Sequence, residues 1–110
     1  MANSYQVLGQ SNPLAATLTT LYTVPAATQA IISSIVAANR SATPTTFRIA
    51  LRPAGAAISN EHYISFDVPI GANEVITFTL GIGLETTDVV SVYATLATLS
   101  FNAVGVEITW

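Results

Sequence analysis

Few residues in this chain are equipped for chemistry, and their spacing works against it. The single histidine is His62. It opens a β-rich run on the inward phase of its strand, where an imidazole more often packs or hydrogen-bonds than acts as a general base. No G-x-S-x-G elbow presents a serine nucleophile. Glu85 and Asp88 are close enough to suggest the carboxylate pair of a glycosidase, but they read as solvated turn residues, with Asp88 initiating the next strand. Gly81-Ile82-Gly83 lacks the third glycine and the following helix of a nucleotide loop, so it reads as a turn. Asn39-Arg40-Ser41 matches the glycosylation sequon. The start of the chain shows no basic or apolar region of a secretory signal, so that match reads as chance. Cysteine is absent, which removes thiolate nucleophiles, disulfides and zinc–thiolate sites. One histidine cannot complete a typical zinc site, and no calcium loop appears. The expectation is a chain that is not an enzyme, with no catalytic, cofactor-binding or metal-ligating residue.

Surface binding is the chemistry that remains. Tyr5, Tyr22, Tyr63, Tyr93 and Trp110 offer faces on which sugars could stack, which keeps a carbohydrate-binding β-sandwich module as an alternative. Their spacing puts them on no common strip, and aromatic residues of this kind more often lie half in a core and half at an interface. Ser33, Ala37, Ala50, Ser65, Thr77, Thr79 and Ser91 read as non-core positions with short side chains, which lose little rotamer freedom when a partner covers them.

Charge is the strongest compositional signal. Only three Arg and six Asp or Glu occur in 110 residues, 8% of the chain. A soluble monomer typically carries about a quarter charged residues, so a surface this poor in charge points to cover by other protein. The net charge of −3 excludes a phosphate-binding surface, and with it nucleic acid as a partner. No apolar run approaches the ~20 residues of a transmembrane helix, so no membrane partner is expected. Lysine, a common guard of sheet edges, is missing altogether.

The elements that position these residues are β-strands. Short β-branched and aromatic runs separated by Pro, Gly and Asn predict strands near 5–8, 18–23, 30–38, 45–51, 62–68, 75–80, 89–95 and 99–108. About eight strands at that spacing predict an all-β fold, a single antiparallel β-sandwich of jelly-roll or immunoglobulin-like topology. Residues 1–16 are weaker in pattern and read as an extended N-terminal arm before a sandwich domain over 17–110. Facing Phe47 to Phe66 and Ile49 to Ile64 in a hairpin also brings Arg52 opposite Glu61, so apolar meets apolar and opposite charges meet. Leu99 and Phe101 share one phase while Val104, Val106 and Ile108 share the other, which predicts a β-bulge near Asn102-Ala103 or a strand that passes there from one sheet to the other.

The runs Leu21-Tyr22-Thr23-Val24-Pro25, Ser33-Ser34-Ile35-Val36-Ala37-Ala38-Asn39-Arg40, Phe47-Arg48-Ile49-Ala50-Leu51-Arg52-Pro53 and Ser100-Phe101-Asn102 resemble a group of small β-structured virion structural proteins of tailed bacteriophages. The resemblance spans about residues 21–109 and transfers no site residues. It implies a virion location after synthesis in the host cytoplasm, and a role as a capsid decoration (cement) protein, with a tail, baseplate or fibre component as the alternative. It also implies the major capsid protein or other virion proteins as partners, alongside a homo-oligomer. Tyr5, Arg48, Arg52, Glu61, Tyr63 and Trp110 are the interface candidates.

Overall fold

Alternating β-branched and aromatic residues form eight strands in the computed structural model, which describes residues 2–109. They are β1 (Ala2–Ser11), β2 (Thr19–Thr23), β3 (Thr28–Asn39), β4 (Thr45–Arg52), β5 (Tyr63–Ile70), β6 (Val75–Leu84), β7 (Val89–Ala94) and β8 (Leu99–Thr109). Each overlaps one of the segments expected from the sequence. Two short helical turns, Pro53–Gly55 and Asn60–His62, lie in the β4–β5 connection. Among the described residues no helix is long and apolar enough to cross a membrane.

The strands pair as one long hairpin folded at its middle: β1 with β8, β2 with β7, β3 with β6 and β4 with β5, all antiparallel. Rolling that hairpin up adds the lateral pairs β3·β8 and β4·β7. The result is two four-stranded sheets, β1-β8-β3-β6 and β2-β7-β4-β5. Such nesting across two packed sheets is the jelly-roll order, which resolves the choice left open by strand count.

The core lies between the sheets. Phe47, Ile49, Val90 and Val92 from one sheet meet Ile32, Ile35, Leu99 and Phe101 from the other, all essentially without exposure. Phe47 sits edge-on to two rings of the facing sheet, Phe101 at 5.7 Å and Phe78 at 5.9 Å between centroids. Burying one such ring contributes roughly 1.5–3 kcal/mol, and each edge-to-face pair roughly 0.5–1.5 kcal/mol more.

Several expectations are corrected. Residues 2–11 are not an arm: β1 is a full edge strand, registered with β8 from Ala2↔Thr109 to Ser11↔Phe101. Beyond it Asn12 Nδ2 donates to the carbonyls of Ala97 and Leu99, Pro13 is buried, and the Ala16 N–H bonds Ala94. No domain boundary therefore falls near residue 16. The pattern of β1 looks weak because Tyr5 and Val7 face outward, exposed by 78% and 53%. β8 keeps one inward phase through Leu99, Phe101, Ala103 and Gly105. The extra residues sit in its neighbours, as register shifts between Val7 and Gly9 and between Ile32 and Ser34. Val104, Val106 and Ile108 lie on the sheet's outer side. Gly81 and Gly83 belong to β6, where Leu80, Ile82 and Leu84 continue the inward phase. Ala37, Ala50 and Ser91 are fully buried rather than superficial.

The β4–β5 register also differs. Ala50 faces Tyr63 as the expected register requires, but Ile49 faces Ser65 and Phe47 faces Val68. β5 holds one surplus residue in each of those two intervals, and Asp67 takes a left-handed conformation at φ 51°. These bulges turn Ile64 and Phe66 outward while Val68 and Ile70 stay inward. Pairing rules assume an unbroken pleat, and a bulge shifts every residue beyond it.

Gly105 marks one of the two tightest strand contacts, with Gly9, because a Cβ there would lie 2.0 Å from the Ile31 carbonyl oxygen. Gly105→Ala is expected to destabilise the fold by about 1–3 kcal/mol or more. Gly83→Ala, built into open space, should change stability by less than about 1 kcal/mol. Urea unfolding of the two variants checks the contrast, and equal losses would contradict the close approach.

Candidate functional site

The nine charges follow a pattern that the strands impose. Glu74 accepts the Gly71 N–H, and Asp88 accepts the N–H groups of Ala54 and Glu85. Glu85 accepts Gln29 Nε2. Arg40 donates to the Ala97 carbonyl. These groups tie turns together. In the sheet β1-β8-β3-β6 the only charged side chain is Glu107. It is drawn inward, accepting Tyr22 Oη at 2.6 Å from the opposite sheet and Gln6 Nε2 at 2.7 Å. Burial raises the Tyr22 phenol far above its ordinary value of 10.0, with the Glu107 hydrogen bond and charge adding to the effect.

The outer face of that sheet consequently carries no charge among the described residues. Its side chains run in rows across all four strands. One row is Tyr5, Val106, Ile31 and Gly83; the next is Val7, Val104, Ser34 and Thr79; a third is Gln10, Asn102, Val36 and Thr77. Gln10 Nε2 bonds Asn102 Oδ1 at 2.7 Å, so even the polar row is partly self-satisfied. The face is flat, apolar at its centre and bordered by short polar side chains.

The opposite sheet presents a different surface, created by the β5 bulge. Phe66, turned outward and 53% exposed, lies against Arg48, whose guanidinium carbon is 4.0 Å from the ring centroid. The same guanidinium lies 4.4 Å from the Tyr93 ring, since Arg48 and Tyr93 are cross-strand partners. Arg48 Nε donates to Asp67 Oδ1 at 2.7 Å, and that bond raises the guanidinium further above its usual value. Tyr63 packs edge-on to Phe66 at 4.9 Å. A shallow cavity of about 430 Å³ opens beside Asn60, Tyr63 and Phe66. Three aromatic rings and one arginine therefore do form a strip, contrary to the expectation from spacing. Phe66 was the missing member, because an unbroken strand would have turned it inward.

The expected interface residues are thus divided. Arg48 and Tyr63 join this strip. Tyr5 lies on the charge-free face of the other sheet. Arg52 and Glu61 do not pair. Arg52 holds the β4–β5 connection through the carbonyls of Ala56 (2.7 Å) and Gly55 and through Ser91 Oγ. Glu61 accepts Ser59 Oγ at 2.7 Å, which lowers its carboxyl below the usual range. The ladder keeps the expected register at Ala50↔Tyr63 but stops there: Glu61 lies in the helical turn Asn60–His62 and Arg52 is turned to its own connection, so the two do not meet. Trp110 lies outside the described residues.

The groups weighed for catalysis have structural partners. His62 Nδ1 accepts the Ser59 N–H, capping a helical turn. Glu85 and Asp88 close the β6–β7 turn. Asn39 is buried, with Nδ2 donating to the carbonyls of Thr43 and Gly71 and Oδ1 accepting the Ser41 N–H, which leaves no free amide for a glycan. Among the described residues no three His, Asp or Glu gather as a metal-holding group. No protein-family model matches the chain, and no curated protein matches it in sequence.

Tyr22 offers a test of the inward anchoring of Glu107. A phenol with a pKa raised by folding adds stability that is complete below its unfolded value of 10.0 and is lost as pH rises toward the folded one. The native chain should therefore lose stability as pH climbs above about 10, and Tyr22→Phe should lose less over the same range. Denaturant midpoints across that range measure it; parallel curves would detach Tyr22 from Glu107.

Proposed function

We propose that this chain is a non-enzymatic structural protein of a tailed-phage virion, acting as a capsid decoration (cement) protein. The observation that carries the reading is the charge-free outer face of the sheet β1-β8-β3-β6. A face with Tyr5, Val7 and Ile31 exposed and Val106 half-buried among them gains roughly 25 cal/mol for each Å² of apolar surface a partner removes. The short side chains around that centre lose little rotamer entropy on contact. Against these gains stands the loss of rotational and translational freedom, about 4–15 kcal/mol. A repeated shell surface meets that cost by offering a rigid partner face and many equivalent sites. Contact across a seam between capsid subunits then adds cohesion without any chemical step.

The jelly roll supports this role because its core is filled by side chains and its turns are tied by carboxylates, which makes the outer faces rigid platforms. A tail or fibre position would use the same face. The two differ in copies per particle, which densitometry of purified virions counts: numbers near those of the shell subunits support decoration, and a few per particle support the tail.

A second reading is favoured by the strip of Tyr63, Phe66, Arg48 and Tyr93, where an exposed ring beside Asn60 suits a saccharide-binding surface. Specific retention on a glycan array that disappears in Phe66→Ala would support it, and an array without signal would remove it.

For the decoration role, the double variant Ile31→Lys, Val106→Lys places two cations at the centre of the charge-free face. It should keep the β-sheet circular dichroism of the parent and bind capsid shells lacking the chain at least tenfold more weakly, a loss of about 1.4 kcal/mol. Unchanged binding by a folded double variant would show that shells are not held by this face.

A further inference from the structure

The four sheet edges of this fold are not equivalent. β2 is five residues long, is irregular between Thr20 and Tyr22, and is followed closely by Pro25. β5 carries Pro69, two surplus residues and the left-handed Asp67. β1 closes against β2 at Gly9, where a Cβ would meet the Leu21 carbonyl oxygen at 2.0 Å. β6 carries one surplus residue against β3, between Thr79 and Ile82, but none of the other devices. It runs ten residues from Val75 to Leu84 at the end of its sheet, without a proline or a charge. A register shift against β3 lies between Ile32 and Ser34, yet inward and outward positions alternate from Val75 to Leu84 without a break. A long uncharged edge of this kind is a ready template for another strand.

The side chains of β6 indicate which strand. Ile76, Phe78, Leu80 and Ile82 point toward the core but are only partly buried, because no strand flanks them on the open side. We propose that β6 pairs antiparallel with β6 of a second copy of this chain about a two-fold axis near Thr79. A symmetric antiparallel contact is self-complementary by construction. With Thr79 on the axis, Phe78 of one copy faces Leu80 of the other, and Ile76 faces Ile82. On the outer side the same register sets Thr77 opposite Gly81. Apolar positions meet apolar ones, and small meets polar, with no like charges brought together. The paired sheet has eight strands, and the two cores become continuous along their open sides.

The pairing also changes the area offered to a shell. Four strands spaced ~4.8 Å apart and about ten residues long at ~3.3 Å each give one copy an outer face of roughly 630 Å². A stable interface takes about 800 Å² per partner. Joining two copies through β6 doubles the charge-free face and clears that figure. The proposal rests on the assembly reading for its use, because the doubled face is the one offered to the shell.

The cysteine-free sequence makes the test clean. Single variants Thr77→Cys, Thr79→Cys and Gly81→Cys probe β6, and Thr20→Cys on β2 serves as the control. Under mild oxidation, one β6 position, Thr79 in the stated register, is expected to form a covalent dimer at least tenfold faster than Thr20→Cys. Light scattering of the unmodified chain should give twice its mass of 11.5 kDa, and Thr79→Lys, which opposes two cations on the axis, should weaken that dimer at least tenfold while the chain stays folded. A monomeric mass at high concentration together with β6 cysteines no faster than the control would overturn the pairing. A β6 dimer that fails to bind shells would uphold the pairing and remove only the assembly reading; a shell-binding chain with neither dimer nor cross-link would do the reverse.

Discussion

Phe47 is the contact on which the two sheets depend. It leaves β4 and lodges edge-on against Phe101 of β8 and Phe78 of β6, so one ring fixes the spacing and the lateral alignment of both layers. Close packing leaves no room for these sheets to slide without opening a void beside three rings. With the layers held there, the direction of every other side chain follows from strand parity and from the bulges that interrupt it. The outer faces are consequences of how the inner ones are locked.

Bulges divide the molecule's surface into its two characters. In β5 they turn Phe66 outward and place Asp67 within reach of Arg48, which gathers an aromatic and guanidinium strip from β4, β5 and β7. In the other sheet the bulges fall in β1, β3 and β6 and leave β8 in phase, so its outward valines stay in rows with Tyr5 and Ile31. The same local device yields a polar, ordered cluster on one side and an uncharged platform on the other.

Strand existence was legible because most strands are bounded by Pro, Gly or Asn and filled with β-branched residues; β7, flanked by Asp88 and Thr95, shows only the second signal. The jelly-roll order was not, because nesting is a property of long-range pairs that no local pattern encodes. Alternation gave inward faces correctly where the pleat is regular, as for Phe47 and Ile49, and failed where an unseen bulge intervened, as for Ile64 and Phe66. Asp67 carried the one faint signal, since Asp tolerates a left-handed conformation better than its neighbours do. Gly81 and Gly83 misled in the opposite direction. They read as turn residues, yet they sit on the outer side of an edge strand, where a missing side chain leaves only open space. The lack of charge was the most reliable signal at the level of the surface, because it depends on no register.

The nested pairing also governs how the chain can reach this structure. Ala2 lies opposite Thr109, near the far end of the chain. Closed in one step, that contact would carry the entropy cost of a very long loop. Within the nest it does not, because once β4 and β5 have met across their short connection, each outer pair closes only the small remaining gap. Loop-closure entropy thus favours pairing that spreads outward from the middle of the chain, with β1 joining β8 last. The row from Tyr5 to Ile31 is therefore completed at the end of that sequence.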